Sequence, residues 1–156
     1  MGGEMRALTV RQPWAWAIAT QGKTVENRTW KTAYRGLIAV HAGTSGEDMD
    51  TVLPVGSADR RFRAIYAKVK LSRAMAPEAV HLLGGRVVAV AELAGCHDDC
   101  PGTCSPWAVR GQYHWNLWDI HPLPDPVPCK GMLGLWRLPD DVEKAVRAQL
   151  GEDEQP

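Results

Sequence analysis

At 156 residues and 45% hydrophobic composition, the chain is sized for one domain with a core of its own. Lys plus Arg and Asp plus Glu each total 18, which excludes a protein that holds nucleic acid by bulk charge alone. The balance hides a division: residues 1–73 carry 12 basic and 6 acidic side chains, and residues 74–156 carry 6 and 12, so the first half can offer a positive surface to phosphates.

The opening MGGEMRALTV has no apolar run of the secretory type, and no stretch of about 18 apolar residues could cross a bilayer. A cytoplasmic protein without a membrane partner is expected. Gly2 invites a myristoylation reading, but Arg6 stands where that motif wants Ser or Thr. Seven Trp beside one Phe is unusual, because an indole joins a broad stacking face to an N–H that needs a partner when buried.

A short strand around Leu8 is followed by QPWAWAIATQG, punctuated as a helix by Pro13 in its first turn and Gly22 at its stop. Trp14, Ala17 and Ile18 would share its buried stripe. GKTVENRTW then reads as a strand with Thr24, Glu26, Arg28 and Trp30 on one face. After a turn through KTAYRG comes LIAVHA, with Leu37, Ala39 and His41 on one face, and the two strands are expected to form a hairpin.

Residues 43–84 are largely helical in pattern. Phe62, Ile65, Tyr66 and Val69 follow amphipathic spacing, and Arg60, Arg61, Arg63, Lys68 and Lys70 form a basic side. Pro77 and Gly84 bracket another short helix. RVVAVAEL is nearly all apolar, as a central strand would be. A turn-rich loop, AGCHDDCPGTCSPWAVRG, leads to a strand QYHWNLW, a proline-rich crossing HPLPDPVPCKG and a last strand MLGLWRL. A terminal helix from Pro139 to Leu150 would bury Val142, Ala145, Val146 and Leu150, and the final residues 151–156 are expected to be disordered. This order of strands and helices gives α+β, with the strands curled into a small barrel.

The blocks LTVRQPWAWAI, GKTVENRTWKTAYRGLIAVHAG, YHWNLW and PVPCKGMLGLWRLP resemble the ASCH domain, a member of the PUA-like superfamily. The resemblance runs from about Leu8 to Pro139. It implies a small mixed β-barrel with flanking helices over residues 1–139, a C-terminal helix at 140–150 packed on it, and a cleft between the first helix and the barrel suited to RNA, single-stranded nucleic acid or a modified nucleoside. Within that cleft Gln12, Pro13 and Trp14 open the helix, and Lys23, Thr24, Glu26 and Arg28 form the strand face. Tyr34, Arg35 and His41 complete the candidate ligand contacts.

Chemically, Glu26 can accept from an exocyclic amine, Arg28 can donate to a carbonyl or phosphate, and a Trp can stack on a base. The competing reading is an ion pair of little worth between same-face neighbours. Trp30 is expected to pack rather than serve as a platform, His41 to be a satisfied structural histidine, and Arg35 to reach a phosphate or cap a carbonyl. Trp115 and Trp118 fall on opposite faces, so at most one meets a ligand. Arg60, Arg61 and Arg63 are the candidate phosphate contacts.

Some members of the family hydrolyse acetylated cytidine with a Lys and a Thr, and ribonuclease activity is also associated with it. Lys23 matches the Lys, but the Thr position is taken by Glu26, so a catalytic pair of Lys23 and Glu26 is the alternative to binding alone. Cys96, Cys100, Cys104 and Cys129, with His97 between, could enclose zinc, yet they lack a C-x2-C knuckle. Reduced thiols, no metal and no cofactor are expected. The oligomeric state is not legible.

Overall fold

A computed structural model describes residues 3–46 and 77–151 of the chain. In chain order the elements are β1 (Met5–Gln12), α1 (Trp14–Thr20), β2 (Val25–Arg28) and β3 (Gly36–Gly46). A short 3₁₀-helix (Pro77–Leu82), β4 (Arg86–His97), β5 (Tyr113–Pro128), β6 (Leu135–Trp136) and α2 (Asp140–Gln149) follow. Among the described residues the strands form one six-stranded sheet in the order β2-β5-β4-β3-β1-β6, in which β1 and β3 are the parallel pair. This curled sheet with its helices is an α+β, PUA-like fold.

The central strands are apolar on both faces because both faces are covered. Leu8, Val10, Ile38, Val40, Val88 and Leu93 pack with Ile18 of α1 and with Trp115 in the inner core. Met5, Ala7, Leu37, Ala39 and Val90 pack with Trp136 and with Val142 and Val146 of α2 in a second core on the other face. α2 begins after Pro139 with Asp140, Asp141 and Glu143 in its first turn and carries Arg147 in its last, each sign suited to the helix dipole. Ala145, expected on its buried side, is exposed.

Three expectations are corrected. β2 and β3 are not a hairpin: β2 pairs with β5 from Val25↔Asn116 to Arg28↔Tyr113, and both edges of β3 are taken by β1 and β4. The proline-rich crossing is part of β5. Beyond Leu117 only β4, among the described residues, pairs with that strand, and Pro122, Pro124, Pro126 and Pro128 alternate, so the missing N–H groups fall toward one edge, where a strand tolerates them. In α1, Trp16 is fully buried while Trp14 is only half-buried. The 3₁₀-helix occupies the place between Pro77 and Gly84 where a short helix is expected. Phe62, Ile65, Tyr66, Val69 and the basic side with Arg60, Arg61 and Arg63 lie outside the described residues, as do residues 152–156.

Candidate functional site

Register decides which way β2 looks. Glu26 opposes Trp115 and Arg28 opposes Tyr113, and directly opposed residues share a face. Both partners belong to the inner core or pack on it, so Glu26 and Arg28 point inward beneath α1. Lys23 arrives from the other direction. Gly22, at φ 70°, reverses the chain after α1 in a conformation that glycine adopts without strain, and the Lys23 N–H bonds the Ala17 carbonyl at 3.2 Å.

The three charges then meet. Lys23 Nζ donates to Glu26 Oε1 at 3.2 Å and to the Val25 carbonyl, and it lies 5.9 Å from the ring centre of Trp14. Arg28 donates to Glu26 Oε2 at 3.3 Å and to the Thr9 carbonyl of β1 at 2.8 Å. The Asn27 N–H adds a bond to Glu26 Oε1 at 3.1 Å. Lys23 is 2% exposed and Glu26 6%, with Arg28 partly buried beside them, which replaces the picture of a weak surface pair with a largely buried triad of two basic groups and one carboxylate. Arg28 Nε is buried without a hydrogen-bond partner among the described residues.

Burial sets the protonation of these groups. It pushes the Lys23 ammonium below its usual range, and the attraction and hydrogen bond of Glu26 only partly oppose this. For Glu26, burial alone would raise the pKa, but the charges of Lys23 and Arg28 and the hydrogen bonds from Lys23 and Asn27 win and hold the carboxyl ionised.

The other expected contacts are distributed differently. Thr24 is exposed and precedes β2, and its carbonyl accepts from the Leu117 N–H at 2.8 Å. Gln12 is tied on both sides, donating to the His81 carbonyl at 2.7 Å and accepting from the Trp16 N–H at 3.0 Å, so it fastens α1 to the 3₁₀-helix. The Pro13 carbonyl accepts the Ala17 N–H at 2.9 Å. Tyr34 and Arg35 line a separate shallow cleft of about 450 Å³ with Glu4, Leu37, Glu92 and Asp119. There Tyr34 donates to the Leu37 and Glu4 carbonyls, and Arg35 caps the Thr32 and Tyr34 carbonyls.

His41 lies across the sheet from Glu26. It alternates with Val40 of the inner core and meets Trp136 edge-on at 5.5 Å. Its Nε2 donates to the Cys129 carbonyl at 2.6 Å, and burial lowers its pKa against that bond, so it is a neutral, satisfied histidine. Trp30 packs edge-on against Trp115 at 4.7 Å and stays 36% exposed, whereas Trp115 is fully buried and Trp118 is 68% exposed.

The four cysteines are free thiols and do not gather at one place. Cys96 opposes Trp115 and packs on the inner core, and Cys129 sits against the second core. On the outer face His97 opposes His114, and these two meet Cys100 and Cys104 of the intervening loop, with all four ligand atoms within 4.8 Å of one another. Partial burial pushes the Cys100 thiol up, but its interactions with the Gly102 backbone, with Cys104 and with the His97 ring outweigh it and bring the pKa down to about 6. Sequence reasoning missed His114 and Asn27, both of which sit on the outward face of their strands. Asn27 holds the same loop, donating to the Trp107 carbonyl at 2.9 Å and accepting from the Val109 N–H at 2.8 Å.

The family model of the ASCH domain matches residues 8–118, a span that contains the triad and the outer His/Cys cluster. A search of curated proteins finds no match.

Proposed function

As the chain belongs to the ASCH family, of the PUA-like superfamily, we propose that Lys23, Glu26 and Arg28 bind RNA through one base, or a modified nucleobase or nucleoside, between α1 and the barrel. Family membership supports RNA binding or hydrolase-like chemistry in general, and no helix among the described residues is long and apolar enough to cross a membrane. The observation that carries the finer reading is the charge count of the buried triad. Two cations surround one carboxylate, and the buried Arg28 Nε lacks a partner among the described residues. A buried donor left unmade costs about 1–3 kcal/mol, and a ligand carbonyl or phosphate oxygen would satisfy it.

A base edge that carries an amine beside a carbonyl suits this set. Glu26 accepts the amine hydrogen, Arg28 and Lys23 donate to oxygen, and the half-buried Trp14 offers an aromatic face beside Lys23. Calorimetric titration with cytidine, N4-acetylcytidine and a short single-stranded RNA tests the reading. Glu26→Gln should lower affinity by about 10- to 150-fold, the worth of one charge-assisted hydrogen bond. Equal affinity in parent and variant, with circular dichroism showing both folded, would return the triad to a purely structural role.

One observation favours hydrolysis as the second reading: burial depresses the Lys23 pKa, as a lysine base or nucleophile requires. Acylated cytidine followed by chromatography separates the two. Turnover that Lys23→Met abolishes while binding persists makes the protein an amidohydrolase, and binding by the parent without turnover makes it a binding module.

A further inference from the structure

We infer that His97, Cys100, Cys104 and His114 form a structural zinc site that pins residues 98–112 to the outer face of the sheet. Four donors of the types that zinc prefers lie within 4.8 Å of one another. Cys100 Sγ is 3.2 Å from His114 Nδ1 and 3.5 Å from His97 Nε2, and Cys104 Sγ is 3.5 Å from His114 Nδ1. Zinc bonded tetrahedrally at its usual lengths to sulfur and nitrogen holds those ligand atoms about 3.5 Å apart.

The remote nitrogens supply an independent argument. His114 Nε2 meets the Val109 carbonyl at 2.7 Å, and a carbonyl only accepts, so the proton sits on Nε2 and the Nδ1 lone pair faces the sulfurs. His97 is the mirror case: its Nδ1 donates to Asn116 Oδ1 at 3.0 Å, leaving the Nε2 lone pair toward Cys100. Metal-bound histidines are fixed in this way by an acceptor on the far nitrogen. Two histidines satisfied at one nitrogen and aimed at thiols with the other are what a metal site needs, whereas a hydrogen-bonded cluster needs no such common focus.

Backbone and charge agree with the assignment. Strand alternation sends His97 and His114 outward together and Cys96 inward. The turn at Gly102, φ 91°, brings Cys104 back onto Cys100, and the C-x3-C spacing lies within the range of structural zinc sites. Zn²⁺ with two thiolates and two neutral imidazoles is uncharged, and four protein ligands leave no open position, so the role is structural. Between Asp98 and Gln112 the chain has no regular helix or strand, and a metal clamp at Cys100 and Cys104 would add to the hold that Asn27 has on the loop at Trp107 and Val109.

The test uses the full chain, expressed with zinc supplementation and purified reduced and without chelator, with metal measured by inductively coupled plasma mass spectrometry. The expected result is about one zinc per chain, retained by Cys96→Ser and Cys129→Ser and lost from Cys100→Ser/Cys104→Ser. Because the double variant can also misfold, the parent is stripped and reloaded with Co²⁺. Tetrahedral ligand-field bands with a sulfur-to-cobalt charge-transfer band support the site, as does a melting temperature lowered by the chelator and restored by zinc. Background zinc in the reduced parent, an octahedral cobalt spectrum, or zinc lost equally from Cys96→Ser would each overturn it.

Discussion

Arg28 of β2 donates to the Thr9 carbonyl of β1 at 2.8 Å, although three strands separate β2 from β1 in the sheet. The bond spans the open side of the curl. One guanidinium therefore fastens the seam of the half-barrel and holds Glu26 beneath α1, so architecture and candidate site share a residue.

Arg28→Lys should expose that dual role. A lysine keeps the charge but replaces a planar fork with a point donor, and it cannot hold Thr9 and Glu26 in the same geometry. Urea denaturation should show a loss of about 1.5–3 kcal/mol, the worth of a hydrogen bond to a charged group. A midpoint unchanged from the parent would mean that the seam bond contributes nothing.

Glu26 should leave a signature in pH. Its folded pKa lies below the unfolded value of 4.5, so the unfolded chain takes up the proton first as pH falls. The stability it contributes is complete above about pH 4.5 and is lost as pH drops through the lower folded value. Breaking a buried pair costs about 3–5 kcal/mol, so Glu26→Gln should lie below the parent by an amount of that order at pH 7, and the gap should close in acid. A gap constant from pH 7 to pH 3 would contradict the shift.

Much of this was legible in the residues, and the failures have physical causes. The apolar run of β4, the punctuation of α1 and the amphipathic terminal helix are local signals, and each appears where expected. Glu26 and Arg28 share a face because alternation is local too. Their burial is not, since it depends on β2 leaving β3 to pair with β5 and on Gly22 folding Lys23 back under Trp14. Cys100 and Cys104 stand in the four-cysteine set that the sequence offers for zinc, although reduced thiols are the expectation there. His114 joins them through strand register, a relation between residues far apart in sequence.

Gly131 is predicted to be intolerant of a side chain. A Cβ there would stand 2.8 Å from His41 Cε1 and 3.0 Å from Thr9 Oγ1, inside a network that ties Thr9 to Trp136 Nε1 and the Met132 carbonyl. Gly131→Ala should cost about 1–3 kcal/mol, as overpacking of a tight site does. Chemical denaturation measures it, and an unchanged stability would show that the 130–134 turn moves aside freely.

Arg60, Arg61 and Arg63 carry a separate expectation from charge alone. Their joint replacement by Ala should weaken binding of single-stranded RNA and flatten its dependence on salt, because fewer counterions are released on binding, while leaving binding of a free nucleoside untouched. Unchanged RNA affinity across a salt series would remove them from the interface.

The central claim is that the Lys23, Glu26 and Arg28 triad receives a base, and calorimetry on the folded parent and on Glu26→Gln tests it most directly. The account predicts saturable binding of cytidine, N4-acetylcytidine or single-stranded RNA by the parent, weakened about 10- to 150-fold by the substitution. No binding of any of the three by the parent, or equal binding by both proteins, would contradict it.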